Sequence, residues 1–199
     1  VDRYPDPSPG KPGNPPNLLI LPGSREKEIT RHLPQIVAAI DLLVDENNLN
    51  ISMVLPNENL TDLAKSVAPK VAGWNLEISN IAASLKKADV AIASSGTVTM
   101  ECAWFRVPTV VLYKTSWPTY ALGRWFINIP HIAMPNVLAG REIFPEFIQG
   151  EATGRNLARA VTCFLTEKGA QGKIREELDD VAGTLGEKGA AVRAAKAVI

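Results

Sequence analysis

From Leu18 onward, short apolar runs alternate with longer segments of helical periodicity, and that alternation restricts the chain to one kind of architecture. Strands are expected at residues 18–21, 51–55, 76–78, 90–93 and 109–113. Helices are expected between them at 26–46, 60–67, 81–88 and 97–105, with Pro34 marking a kink or a fresh start in the first. Ile36, Ala39, Ile40 and Leu43 follow the spacing of a helix that buries one face. The strands are almost continuously apolar, as strands are when a parallel sheet is covered on both sides. Right-handed β-α-β units of this kind build an α/β fold, a Rossmann-like parallel sheet with helices on both faces. After Thr153 the strand signal stops, and helical stretches are expected at 154–166, 170–185 and 190–199, so the fold ends in a helical segment. Gly183, Gly186 and Gly189 punctuate that region but follow a helix, not a strand, so they read as turn glycines and not as a nucleotide fingerprint.

The chain has 199 residues, of which 46% are hydrophobic, enough for one α/β domain with a proper core. Ahead of it, VDRYPDPSPGKPGNPP carries six of the 15 prolines and reads as an extended linker. The expected division is therefore a linker at 1–17 and a folded domain at 18–199. Twenty-one basic residues balance 21 acidic ones, which argues against a nucleic-acid partner. Local basic patches leave peripheral membrane contact open. The apolar runs are far too short to span a bilayer, and the N-terminus has no signal-peptide pattern. Cys102 and Cys163 lie in helix-like apolar segments and read as free, buried thiols in a reducing cytoplasm. With only His32 and His131 besides, local spacing assembles no zinc site. Neither histidine has a serine or cysteine partner of catalytic-triad type, so both read as structural or exposed.

Two strand-to-helix junctions carry residues suited to an anion. In LPGSR, Gly23 permits a tight turn, Ser24 can cap the next helix, and Arg25 sets a forked cation beside its N-terminus, a combination that favours phosphate. In SSGTVTME, Ser95, Gly96 and Thr97 place small donors at another helix start. Glu101 follows one turn later, where a carboxylate can accept ribose hydroxyls. The same residues also fit two ordinary capped turns with a surface arginine and a solvent-facing glutamate. Both junctions fall at the carboxyl edge of one sheet, where α/β folds bind ligands. A third cluster, PNVLAGREIFPEFIQ, reads as a polar loop offering Asn136, Arg141, Glu142, Glu146 and Gln149, or as surface charges and a turn asparagine. Trp104, Phe105, Trp117, Trp125 and Phe126 read as core or as a lipid-facing surface.

Taken in order, LPGSREKEITRHLP, SSGTVTMECA, VPTVVLYK and PNVLAGREIFPEFIQ resemble the bacterial lipid-A-disaccharide synthase family, from about Leu19 to the C-terminus. VDRYPD also resembles that family's crossover into its second domain. The resemblance implies the C-terminal half of a GT-B glycosyltransferase, metal-independent, inverting and without a cofactor. It implies transfer from UDP-2,3-diacylglucosamine to 2,3-diacylglucosamine 1-phosphate, with release of UDP. Gly23, Ser24 and Arg25 would hold the diphosphate, with Ser95, Gly96 and Thr97 completing the cradle and Glu101 taking the ribose. Uracil would lie near the loop Ile78–Ile81, and Asn136, Arg141 and Gln149 would face the donor sugar or its phosphates. Ser94 stands where the family is expected to have alanine, and Trp104–Phe105 is bulkier than usual. No residue matches the family's catalytic base, so an N-terminal domain bearing the base and the acceptor lipid's contacts is expected to be absent from this chain. A cytoplasmic location, peripheral on the inner membrane face, and a homodimer are further expectations. The rivals are another UDP-sugar enzyme of this type, such as a peptidoglycan N-acetylglucosaminyltransferase or a UDP-sugar epimerase, and a non-catalytic nucleotide-binding module.

Overall fold

The computed structural model describes residues 13–46, 48–118, 120, 130–167 and 169–184. In chain order these form β1 (Asn17–Leu21), α1 (Glu26–Glu46), β2 (Asn50–Leu55), α2 (Glu58–Val67), a 3-10 turn (Pro69–Gly73), β3 (Asn75–Ile78) and α3 (Ile81–Leu85). There follow β4 (Val90–Ser94), α4 (Val98–Trp104), β5 (Thr109–Tyr113), α5 (Met134–Ala139), β6 (Glu146–Ile148), α6 (Gly154–Thr166) and α7 (Ala170–Thr184). Residues 1–12, most of the expected linker, and the expected helix at 190–199 lie outside the described residues, as do Trp125 and Phe126.

All six strands are parallel, in the order β3-β2-β1-β4-β5-β6. The first strands step outward in one direction and the later ones in the other, so the order reverses between β1 and β4. Leu18–Leu21 and all five residues of β4 are buried, which is why the central strands read as unbroken apolar runs. The register sets Leu21 level with Ala93, so the chain leaves β1 and β4 at the same height and on the same edge. That edge is where a ligand fits between diverging connections.

α1 is one helix through Pro34, not two. Proline withdraws a single N–H from its ladder, and the buried Ile29, Leu33, Ile36, Ala39, Ile40 and Leu43 hold its apolar face to the sheet and to α6. Asn57 caps α2, its side chain accepting from the Leu60 N–H at 3.0 Å. Asp89 is buried beside the start of β1 and accepts from the Asn17 N–H at 2.8 Å and the Gly13 N–H at 3.1 Å.

The third polar cluster corrects the sequence expectation. Residues 135–149 are not one loop: they supply most of α5 and the whole edge strand β6, paired to β5 from Val111↔Glu146 to Tyr113↔Ile148. Cys102 is buried in α4, its thiol pushed up to about 12 by burial, whereas Cys163 is only half-buried. Among the described residues no helix is long and apolar enough to cross a membrane.

Candidate functional site

Where the strand order reverses, the loops after β1 and β4 enclose a cavity of about 540 Å³, within the usual range for small-molecule sites. Gly23, Ser24, Arg25 and Glu28 line it on the β1 side, and Ser94, Ser95, Gly96, Thr97, Val98 and Glu101 on the β4 side. Leu21, Val54 and Leu55 form an apolar floor, and Pro56, Ser79 and Ile81 close one flank. Both junctions singled out in the sequence thus reach one cavity.

The two sides differ in how their donors are used. On the β1 side Glu28, one turn into α1, folds back on the loop. Its carboxylate accepts from the Ser24 N–H at 2.8 Å, the Arg25 N–H at 3.3 Å and the Arg25 guanidinium at 2.9 Å. The backbone donors and the cation that sequence reasoning offered to a ligand therefore already hold an internal anion. On the β4 side the Ser95 hydroxyl donates to the Ile132 carbonyl at 3.0 Å. Thr99 Oγ1 donates to the Gly96 carbonyl at 2.7 Å and accepts from the Met134 N–H at 3.3 Å. These contacts tie the loop to the segment entering α5. Thr97 is exposed at the mouth, and Glu101 projects from α4 into the lining.

Ser79 lies within the loop expected beside the base, though it was not itself singled out. It holds a left-handed backbone, φ 56, uncommon for a residue with a side chain. Its N–H donates to the Leu55 carbonyl at 3.0 Å and its hydroxyl to the Pro56 carbonyl at 2.7 Å, which fixes the rim beside Ile81. Ile78 ends β3 as an exposed side chain just outside the lining.

The structure does not bring Asn136, Arg141 and Gln149 to this cavity. Asn136 is fully buried, accepting from the Ile143 and Phe144 N–H groups, each at 2.9 Å, and donating to Glu146 and the Phe144 carbonyl, each at 2.7 Å. Arg141 pairs with Glu177 of α7 at 2.7 Å. The Gln149 side chain grips the Thr115 backbone, accepting at 2.7 Å and donating at 3.1 Å. Buried backbone needs partners, and Asn136 and Gln149 supply them. Among the described residues no cluster of His, Cys, Asp or Glu suits a metal ion.

His32 is buried behind the β1 loop. Nδ1 lies 2.6 Å from the Pro22 carbonyl and Nε2 accepts from the Lys114 N–H at 3.0 Å, so the proton belongs on Nδ1 and the ring ties the loop to the end of β5. Burial lowers its pKa from the ordinary value. The folded state then binds fewer protons than the unfolded chain. The stability is fully present above the unfolded value of about 6.5 and is lost as pH falls towards the folded-state value. Melting temperature should therefore drop between about pH 7 and 5, and His32→Gln should flatten that slope. An unchanged slope in the variant would show that other groups carry it.

A parallel sheet with its cleft at the strand-order reversal defines a Rossmann-like domain of the kind found in GT-B glycosyltransferases. The chain superposes on the crystal structure of WaaG, a glycosyltransferase involved in lipopolysaccharide biosynthesis, with a TM-score of 0.53 at 16% identity, covering 86% of this chain and 44% of that one. MurG of Acinetobacter baumannii gives a TM-score of 0.52 at 19% identity, covering 82% of this chain and 45% of that one. Identities this low speak for the fold alone, and sequence decides the family. Residues 10–197 match the family model for lipid-A-disaccharide synthetase, and the chain belongs to that family. It is 36% identical over 185 residues to lipid-A-disaccharide synthase of Syntrophus aciditrophicus, covering 89% of this chain and 47% of that protein. With the Geobacter metallireducens enzyme it shares 37% over 187 residues, covering 90% of this chain and 47% of that protein. The chain thus spans about half the length of the relatives it matches.

Proposed function

We propose that the cavity between β1 and β4 binds the uridine diphosphate portion of UDP-2,3-diacylglucosamine. In this reading the domain serves an inverting glycosyltransferase that forms lipid A disaccharide 1-phosphate from that donor and 2,3-diacylglucosamine 1-phosphate. The observation that carries it is the convergence of the LPGSR and SSGTVTME junctions on one cavity at the strand-order reversal, in a chain of this family. Family membership favours this reading over the epimerase and peptidoglycan rivals, whose fold it shares.

Arg25 and the loop amides take the diphosphate, Glu101 the ribose hydroxyls, and the flank at Ser79 and Ile81 the base. Charge grows on the departing diphosphate as the glycosidic bond forms, and donors fixed in place stabilise it there. The acceptor contacts and the base belong to the part of the family's length that this chain does not span, so the chain alone binds and does not turn over. Because the donor carries acyl chains, peripheral contact with the cytoplasmic membrane face belongs to the same proposal.

Titration calorimetry with UDP, and with ADP as control, tests the assignment. UDP should bind, and ADP should bind at least about tenfold more weakly, a difference of roughly 1.4 kcal/mol. Equal binding of the two, or none, would remove the nucleotide assignment.

A further inference from the structure

The donors on the β1 side of the cavity are arranged as a phosphate would need them, yet one carboxylate of the same chain satisfies them all. Glu28 Oε2 takes the Ser24 and Arg25 amides at 2.8 and 3.3 Å, while Oε1 takes the Arg25 guanidinium at 2.9 Å. The two side chains are unequal in exposure. Only 14% of the Glu28 side chain is exposed, against 78% for Arg25, so the acid is lodged under the loop and the cation lies over it in solvent. A guanidinium that exposed keeps a short ion pair mainly because an anion is beside it, and a second anion in the cavity competes for it directly.

Resting on the proposed nucleotide reading, we propose that Glu28 is an internal stand-in for the diphosphate. It holds the loop in its binding shape while the cavity is empty and surrenders Arg25, with at least one of the two amides, when a nucleoside diphosphate enters. This makes Glu28 a positioning residue with a cost. It pre-forms the cradle, and it lowers the fraction of molecules in which the cradle's cation is free, which weakens apparent affinity by that fraction. The exchange also selects for ligand charge, because a neutral nucleoside cannot displace a carboxylate from an arginine.

Glu28→Gln is the direct test, since glutamine keeps an acceptor for the Ser24 N–H and removes the charge that restrains Arg25. In the 199-residue chain, UDP should bind about three- to tenfold tighter to Glu28→Gln than to the parent, while uridine affinity stays unchanged. In an Arg25→Ala background the same substitution should give no gain, because the restrained group is gone. A second measurement needs no variant: in amide NMR spectra of the parent protein, Ser24 and Arg25 should shift on addition of UDP and not of uridine. Weaker UDP binding in Glu28→Gln, or unmoved Ser24 and Arg25 amides in a parent that binds UDP, would overturn the stand-in role while leaving the nucleotide assignment intact. A parent that binds no UDP would instead defeat the nucleotide assignment itself.

Discussion

Asn136→Ala should destabilise the fold by on the order of 3–4 kcal/mol, although position 136 lies in a short helix that reads as surface loop in the sequence. The side chain is buried and makes four hydrogen bonds. Removing it leaves the Ile143 and Phe144 N–H groups and the Phe144 carbonyl inside the protein without their partner. Each buried orphan costs about 1–3 kcal/mol, and partial relaxation keeps the total below their sum. The damage also spreads through Glu146, which accepts from Asn136 at 2.7 Å and from the Ile132 and Ala133 N–H groups, each at 2.9 Å. That carboxylate sits on the edge strand β6, so the substitution loosens both the strand and the segment that reaches the cavity through Ser95. Asn136→Asp gives a sharper control. It keeps both acceptor bonds and sets a second carboxylate against Glu146, so it too should destabilise, and more at neutral than at acidic pH. Urea unfolding measures both variants. A loss in Asn136→Ala below about 1 kcal/mol would mean that the network is dispensable.

That same network explains where sequence reading stops. β1, β4 and β5 were legible because a central parallel strand has no polar face to disguise it: Leu18–Leu21 and Val90–Ala93 are apolar because both sides are covered. β6 has three residues at the sheet edge and opens on Glu146, whose charge is spent on the chain's own amides. Composition cannot separate a polar residue that faces solvent from one turned inward to satisfy backbone, so 135–149 read as loop. Pro34 left a kink or a fresh start open, and the helix runs on through it, because a helix buried along one whole face tolerates one missing donor. Residue types at strand ends were enough to single out Gly23, Ser24, Arg25, Ser95, Gly96, Thr97 and Glu101, which the fold brings to one cavity. They could not show that Glu28 occupies the first junction, which depends on how tightly the chain turns at Gly23. An acidic residue three positions after Arg25 was the available signal, since a carboxylate there reaches back to the amides of the turn.

Gly23→Ala should cost on the order of 2–3 kcal/mol of stability and lower UDP affinity by at least about tenfold. Gly23 has φ +131, a conformation that residues with a side chain rarely adopt. A Cβ there would also stand 2.6 Å from the Glu28 Cβ and 2.5 Å from its Oε2. The carboxylate can swing away, but the Cβ is fixed to α1, so the loop itself must move. Any shift that clears the contact carries Ser24 and Arg25 with it, and a displacement near one ångström is enough to spoil a set of directed donors. Gly96→Ala separates the two causes. Gly96 has φ +155 and likewise lines the cavity, yet an added Cβ there would meet nothing within 4 Å. Both substitutions carry the conformational cost, and only Gly23→Ala adds the collision, so Gly23→Ala should melt lower. Calorimetry with UDP then reads the second consequence, because the collision moves Arg25 and the Gly96 substitution does not. Equal melting temperatures would show that the helix yields where it is taken to be fixed, and unchanged UDP affinity in a folded Gly23→Ala protein would remove the β1 loop from the binding site.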